Sequence, residues 1–341
     1  MPPVVSSELP IIQAPMAGGP STPALTAAVA GAGGYGFLAA GYLSPDDLRD
    51  LISATRSITG TPFGVNLFCP STPADLGPVR AYGQVLQSES DRLGVALGEP
   101  RWEDDAYDAK VEIVESARVD LVSFTFGCPA PATIDRLHGA DCRVAVTVTS
   151  PEEARAAERA GADLLLVQGT EAGGHQGSFL DLGPNVRPLL SLVDEVRASA
   201  RVPIVACGGI MTGIDAVAAM RQGAVGVQLG TAFLCSTEAG TSATYRRALL
   251  DGTYPGTVLT RAFSGRYARG LANEFALRYD ASAPEAYPEV HHLTRPLRAA
   301  ATRAGDPTTP NLWAGQGWRS IVSQPAGRIV RQVAVEMEAA R

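Results

Sequence analysis

SPEEARAAERAGADLLLV (Ser150–Val167) and TGIDAVAAMRQGAVGVQL (Thr212–Leu229) align without a gap. Each opens on a capping Ser or Thr, runs through a short helix, stops at a glycine (Gly161 or Gly223) and continues into an apolar strand. TPALTAAVAGAGGYGFLA (Thr22–Ala39) has the same form. Repeated helix-then-strand units imply a parallel α/β sheet.

Working outward, eight strand-like runs appear: Ile11–Ala14, Gly36–Ala40, Phe63–Phe68, Leu121–Phe126, Val144–Val148, Leu164–Gln168, Pro203–Cys207 and Val225–Leu229. Most are short continuous runs of Val, Leu, Ile and Phe, which is how strands buried on both faces read. Eight such strands predict closure into a (β/α)8 TIM barrel, with an open doubly wound sheet as the alternative. Ser44-Pro45-Asp46-Asp47 is a helix start with a capping Ser, Pro at the first helical position and acids in the first turn. Ser150-Pro151-Glu152-Glu153 predicts a complete capping box, and Thr212-Gly213-Ile214-Asp215 a weaker one. Two stretches break the rhythm: 70–104, with a helical run over Leu76–Leu97, and 236–319, turn-rich with a polar helix pattern. The expected division is a barrel from 1–69 and 105–235, a smaller and mostly helical lobe over its mouth from 70–104 and 236–319, and a C-terminal helix at 320–341.

Composition agrees with a large core. Of 341 residues, 45% are hydrophobic and 18% charged, which argues against disorder. The formal net charge of −7, without a run of Lys or Arg, argues against nucleic acid or an anionic membrane as partner. Met1–Pro10 has neither a basic stretch nor an apolar core of a secretory signal. The uncharged stretch between Glu8 and Asp46 resembles a membrane span only at first sight, because prolines and glycines interrupt it. Cys69, Cys128, Cys142, Cys207 and Cys235 contain no C-x-x-C pair, so they suggest buried small residues in a cytosolic protein.

In a barrel the loops after the strands carry the active site. After strand six comes Gln168-Gly169-Thr170-Glu171-Ala172-Gly173-Gly174-His175. Gly173 and Gly174 let backbone approach a ligand, and His175 suits general-base work near neutral pH. An isolated His would more often cap a carbonyl; the strand-then-Gly-Gly context favours function. After strand seven comes Cys207-Gly208-Gly209-Ile210, and at the end of strand eight Gln228-Leu229-Gly230-Thr231. Glycine turns at these two places are where barrels build a phosphate site from backbone N–H groups. Ala14-Pro15-Met16, ending strand one, would lay backbone and Met16 against a flat ring. Asn66 is a polar residue inside an apolar strand, so it bonds either its neighbours or a cofactor edge. The Gly31–Gly36 cluster precedes a strand, the reverse of a dinucleotide fingerprint. His138, His291 and His292 lack ligand spacing, so no metal is expected, and the adjacent pair reads as a surface loop. Trp313 and Trp318 flank Ala314-Gly315-Gln316-Gly317, a loop that either anchors the lobe or closes over a pocket.

PIIQAPMAGG (Pro10–Gly19), FGVNLF (Phe63–Phe68), QGTEAGGHQGSF (Gln168–Phe179), ACGGI (Ala206–Ile210), QLGTAFL (Gln228–Leu234) and NLWAGQ (Asn311–Gln316) resemble the nitronate monooxygenases, once called 2-nitropropane dioxygenases, of the class I type. The resemblance implies oxidation of alkyl nitronates such as propionate 3-nitronate by O2, with FMN and without NAD(P)H, to a carbonyl compound and nitrite. It implies FMN binding by Asn66, Gln168, Gly173, Gly209 and Gln228 through Thr231, with His175 as the base. Its partners are a small-molecule nitronate and O2, and a homodimer stays open. One departure concerns substrate choice: where the family pattern has a His in an SFHFG-like element, this chain has Ser123-Phe124-Thr125-Phe126-Gly127. The related flavin-dependent enoyl-ACP reductase, which uses NAD(P)H and shares a Gly-Gly-His loop, is the competing reading. His-Gln-Gly after the glycines and the late NLWAGQ element favour the monooxygenase.

Overall fold

The computed structural model describes residues 5–181 and 183–341; Met1–Val4, the start of the segment read as lacking a signal, and Leu182 lie outside them. Eight parallel strands run in the order β1 (Ile11–Gln13), β9 (Gly226–Leu229), β8 (Ile204–Cys207), β6 (Leu164–Gln168), β5 (Arg143–Val148), β4 (Leu121–Thr125), β3 (Gly64–Phe68) and β2 (Phe37–Ala39). The seam between β1 and β2 is closed by a parallel bridge from Ile12 to Tyr35, with Gln13 N donating to the Tyr35 carbonyl at 2.9 Å. One residue on, the Gln13 side chain replaces the ladder by accepting from Phe37 N at 3.0 Å. The sheet is therefore a (β/α)8 barrel. All eight expected strands are present, within one residue of their expected starts and ends.

The outer layer consists of α1 (Pro23–Ala30), α2 (Pro45–Ile58), α5 (Tyr107–Ser116), α6 (Pro131–Gly139), α7 (Pro151–Ala160), α8 (Leu189–Ser199) and α9 (Gly213–Arg221). Outward strand residues such as Ile11, Val65, Val122, Val146, Val167 and Val227 pack against them in one large core. Inward residues Ile12, Phe37, Leu121, Ala145, Leu164 and Val205 form a second, smaller core inside the barrel. Gly64 is glycine for this reason: a Cβ there would lie 2.3 Å from the Phe37 ring that fills the barrel.

The caps differ from expectation in detail. Ser44 and Asp47 form a reciprocal box, and so do Thr212 and Asp215, the pair expected to be weaker. Ser150 Oγ accepts from Glu153 N at 3.2 Å, but the Glu153 carboxylate does not return to the cap. It accepts instead from Thr149 N (2.6 Å) and Phe179 N (2.7 Å), which ties the chain beyond His175 to the barrel.

The lobe comprises α3 (Leu76–Val85), α4 (Gln87–Leu93), α10 (Ala243–Leu250), α11 (Glu274–Tyr279) and α12 (Glu289–Ala304). The single helical run expected over Leu76–Leu97 breaks at Leu86 and stops at Gly94, which adopts φ +62°. Val79, Tyr82, Phe263, Phe275, Val290 and Leu297 give the lobe its own core. It is less purely helical than expected, because β10 (Thr257–Thr260) and β11 (Ala268–Leu271) form an antiparallel hairpin extended by β7 (Gly174–His175). This small sheet was not legible because β7 is two residues long and begins with glycine. The final helix, α13 (Ala326–Ala340), packs on α9 and α1. No helix among the described residues is long and apolar enough to cross a membrane.

Candidate active site

Strand parity builds the floor of the site. Successive side chains alternate faces, so the residues two or four beyond the inward layer also point inward at the C-terminal end. Those positions hold Asn66, Thr125, Thr147, Gln168, Cys207 and Gln228, all lining one cavity of about 860 Å³ between the barrel mouth and the lobe. The barrel interior is thus apolar below and polar above. Asn66 Nδ2 donates to Ser123 Oγ (3.0 Å) and Thr125 Oγ1 (3.0 Å). Thr125, where the family pattern carries His, therefore serves as a neutral acceptor in this floor. Gln228 Oε1 accepts from the Cys207 thiol at 3.2 Å, while its buried Nε2 has no partner. A buried amide donor normally has one, so Gln228 is poised for a ligand acceptor.

Gln168 lines the cavity and also ties down the loop that follows it. Its Nε2 donates to the His175 carbonyl at 3.1 Å and its Oε1 accepts from Gly177 N at 2.7 Å. The amide clamps the loop that carries His175. That loop is also held as a strand, with Ala268 opposite His175 and Arg269 opposite Gly174. Gly173 is required by packing: a Cβ would fall 2.5 Å from Gly315 N. His175 is consequently fixed from both sides, not displayed on a loose turn.

The imidazole sits among Phe126, Tyr287 and Trp313, with ring centroids 5.7, 5.7 and 5.4 Å away. Its Nε2 lies 2.7 Å from Ser264 Oγ, whose hydroxyl donates to the Arg266 carbonyl at 3.2 Å. Since the Ser264 proton is committed, we assign Nε2 as the donor to Ser264, which leaves the lone pair on Nδ1. Burial, with the Arg266 and Arg298 guanidiniums adding to it, pushes the His175 pKa down to about 3. The ring is neutral at physiological pH and can accept a proton or a hydrogen bond.

At the end of β8, packed against the loop that leads to His175, Gly208 and Gly209 adopt φ +119° and +70°, backbone that non-glycine residues rarely take. Outside the helices and strand ladders, and among the described residues, the N–H groups of Gly208, Gly209, Gly230 and Thr231 donate to no backbone carbonyl. Gly230 leaves space, with an added Cβ only in ordinary contact with Ala14 and Met16. Ala14, Pro15 and Met16 line the cavity beside it. The Thr231 hydroxyl oxygen accepts from Gly315 N at 3.0 Å, which binds the Trp313–Gly317 loop across the mouth. Leu229 is the exception among the nominated residues. Parity turns its side chain out into the helix-facing core, and its carbonyl is taken by Ala14 N at 2.8 Å.

The lobe contributes residues that sequence reasoning missed. His291 and His292, expected on a surface loop, are buried on α12. His291 stacks on Tyr42 with centroids 4.3 Å apart, and the Tyr42 and Tyr287 hydroxyls are 3.2 Å apart. Arg295 and Arg298 also line the cavity. No motif marks them; only helical periodicity through His291, Arg295 and Arg298 could have suggested a shared face. His138 lies outside, exposed and paired with Asp163 at 2.8 Å.

The nitronate monooxygenase family model matches residues 5–336. The chain belongs to the nitronate monooxygenase family. A protein described as a probable nitronate monooxygenase of Staphylococcus aureus is 37% identical, over 97% of this chain and 94% of its own length. The structure of a nitroalkane oxidase from Streptomyces ansochromogenes matches with a TM-score of 0.96 at 48% identity, over 98% of this chain and 97% of that one. FabK from Thermotoga maritima is further away, with a TM-score of 0.78 at 29% identity, over 98% and 94% of the two chains.

Proposed function

We propose that this protein oxidises alkyl nitronates with O2 and FMN, without NAD(P)H, releasing a carbonyl compound and nitrite. The observation that carries this reading is one cavity lined both by the glycine turns after β8 and β9 and by a neutral His175. Gly208, Gly209, Gly230 and Thr231 would take the phosphate of FMN, because glycine-rich turns at the ends of β8 and β9 bring backbone N–H groups close to an anion. A single phosphate cradle without a dinucleotide fingerprint favours FMN over FAD. The unpaired Gln228 Nε2 and the Asn66 edge would meet the polar rim of the ring, with Met16 against its face. When bound, FMN supplies the electron acceptor and the oxygen-reactive centre.

The chain's own residues do the rest. His175 Nδ1 presents a lone pair beside the substrate, held in that tautomer by Ser264. It would remove the α-proton of a neutral nitroalkane; toward a nitronate, which has already lost that proton, it would only orient and balance charge. Phe126, Tyr287 and Trp313 exclude water around it.

The test is turnover of ethylnitronate and propionate 3-nitronate in air, with nitrite measured, in the presence and absence of NADH. The expected result is nitrite release that does not depend on NADH, from a yellow protein whose heat-released flavin has the mass of FMN. Bleaching of the flavin by NADH with no nitronate turnover would replace this reading with the competing one, a flavin-dependent enoyl-ACP reductase. FAD as the sole flavin would overturn the cradle assignment.

A further inference from the structure

The cavity carries permanent charge of one sign. The chain has 35 Asp and Glu against 28 Lys and Arg, yet no carboxylate lines the cavity and two guanidiniums do, those of Arg295 and Arg298. They are three residues apart on α12, where like charges repel. Arg298 Nε donates to Thr294 Oγ1 at 3.0 Å, Nη1 to Asn311 Oδ1 at 2.8 Å and Nη2 to the His291 carbonyl at 3.0 Å. Every one of these acceptors is neutral. Among the described residues neither arginine forms an ion pair, and Arg295 donates no hydrogen bond.

Burial and the neighbouring Arg295 lower the Arg298 pKa to about 10, so the group remains a cation at neutral pH. Arg298 is half-buried and Arg295 exposed, both lining the cavity, and a partly desolvated cation without a counter-ion suits an anion that will pair with it. The glycine turns pack against a different segment, with Gly315 and Gly317 closing on Thr231 and Gly209. Arg298 instead lies against His291, donating to its carbonyl, and both line the cavity that His175 faces.

We propose that Arg298, with Arg295 beside it, anchors an oxyanion of the substrate: a planar group with two oxygens, either the nitronate itself or a carboxylate elsewhere on the same molecule. A guanidinium matches such a group in fork geometry, and pairs of this kind are among the stronger hydrogen bonds. The inference rests on the nitronate reading and adds the residues that choose the anionic substrate over its neutral parent.

The test uses Arg298→Gln and Arg298→Lys in the flavin-loaded protein, with ethylnitronate, propionate 3-nitronate and neutral nitroethane. Arg298→Gln is expected to raise KM for the anions by about 10- to 100-fold, the range for one lost charge-assisted hydrogen bond. Flavin content and kcat should stay within a few-fold, and Arg298→Lys should recover part of the loss. Equal rises for both anions place the nitronate on Arg298; a rise for propionate 3-nitronate alone places the carboxylate there. Unchanged KM for both anions, an equal rise for nitroethane, or loss of flavin from both variants overturns the proposal. Quenching of Trp313 fluorescence by 3-nitropropionate is read in parallel. Quenching without turnover, lost in Arg298→Gln, keeps the anchor and overturns the nitronate oxidation; neither quenching nor turnover overturns both.

Discussion

Replacing His175 by Asn separates the two tasks assigned to the imidazole. The ring is neutral and weakly basic, its pKa lowered to about 3 by burial and by Arg266 and Arg298. A positioned base contributes about 10²–10⁴ in rate, and a base of depressed pKa belongs at the lower end. The expected loss of kcat/KM on nitroethane is therefore about 10²-fold, or about 2.7 kcal/mol at about 1.36 kcal/mol per decade. Ethylnitronate arrives without the proton, so the loss there should stay below about 10-fold, the share left for positioning. Flavin content should not change, because the glycine cradle does not include His175. The assay is steady-state O2 consumption on both substrates in both proteins. Equal losses would refute the base assignment, and no loss on either substrate would reduce His175 to a structural role. A pH arm follows from the same shift. An unfolded His takes a proton near pH 6.5, whereas folded His175 resists until about 3. Its contribution is thus complete above pH 6.5 and is lost as the pH falls from there toward 3. Thermal unfolding of the flavin-free protein should show a shallower loss over this window in His175→Asn than in the parent.

Three further outcomes are expected. Gly230→Asp should fold normally, because a Cβ there meets Ala14 only at 3.4 Å, but should lose FMN through repulsion of the phosphate; full flavin content by absorbance would move the phosphate elsewhere. Gly173→Ala should destabilise by about 1–3 kcal/mol in urea unfolding, since its Cβ would sit 2.5 Å from Gly315 N; an unchanged midpoint would show that the Trp313–Gly317 loop yields freely. Ser264→Ala should lower kcat on nitroethane several-fold with little change in KM, because Nε2 loses the acceptor that sets the tautomer; a loss confined to KM would place Ser264 on the substrate instead.

The barrel was legible in the sequence because a strand buried on both faces must be apolar throughout, and Leu164–Gln168 and Ile204–Cys207 read that way without neighbours. Repeated caps and glycine stops supplied the order of the elements, and the glycine turn after β8 stood out because φ values of +119° and +70° at Gly208 and Gly209 leave little choice of residue. His175 stood out for the same local reason.

What lay beyond reach was set by contacts between distant segments. Leu229 was nominated with its neighbours, yet its outward direction follows from where β9 pairs with β1 and β8. Glu153 looked like half of a capping box until Phe179, brought back by the loop, offered a better donor. Nothing in the sequence showed that the Gln168 amide also closes on the His175 carbonyl and Gly177. His291, Arg295 and Arg298 carry no signature, because a helix records which residues share a face but not what that face meets. Only the packing of α12 over the barrel mouth turned that face toward His175, where burial lowers the basicity of His175, His291 and Arg298 together. Local backbone preference is written residue by residue, whereas the field inside the cavity is a sum over groups more than one hundred positions apart.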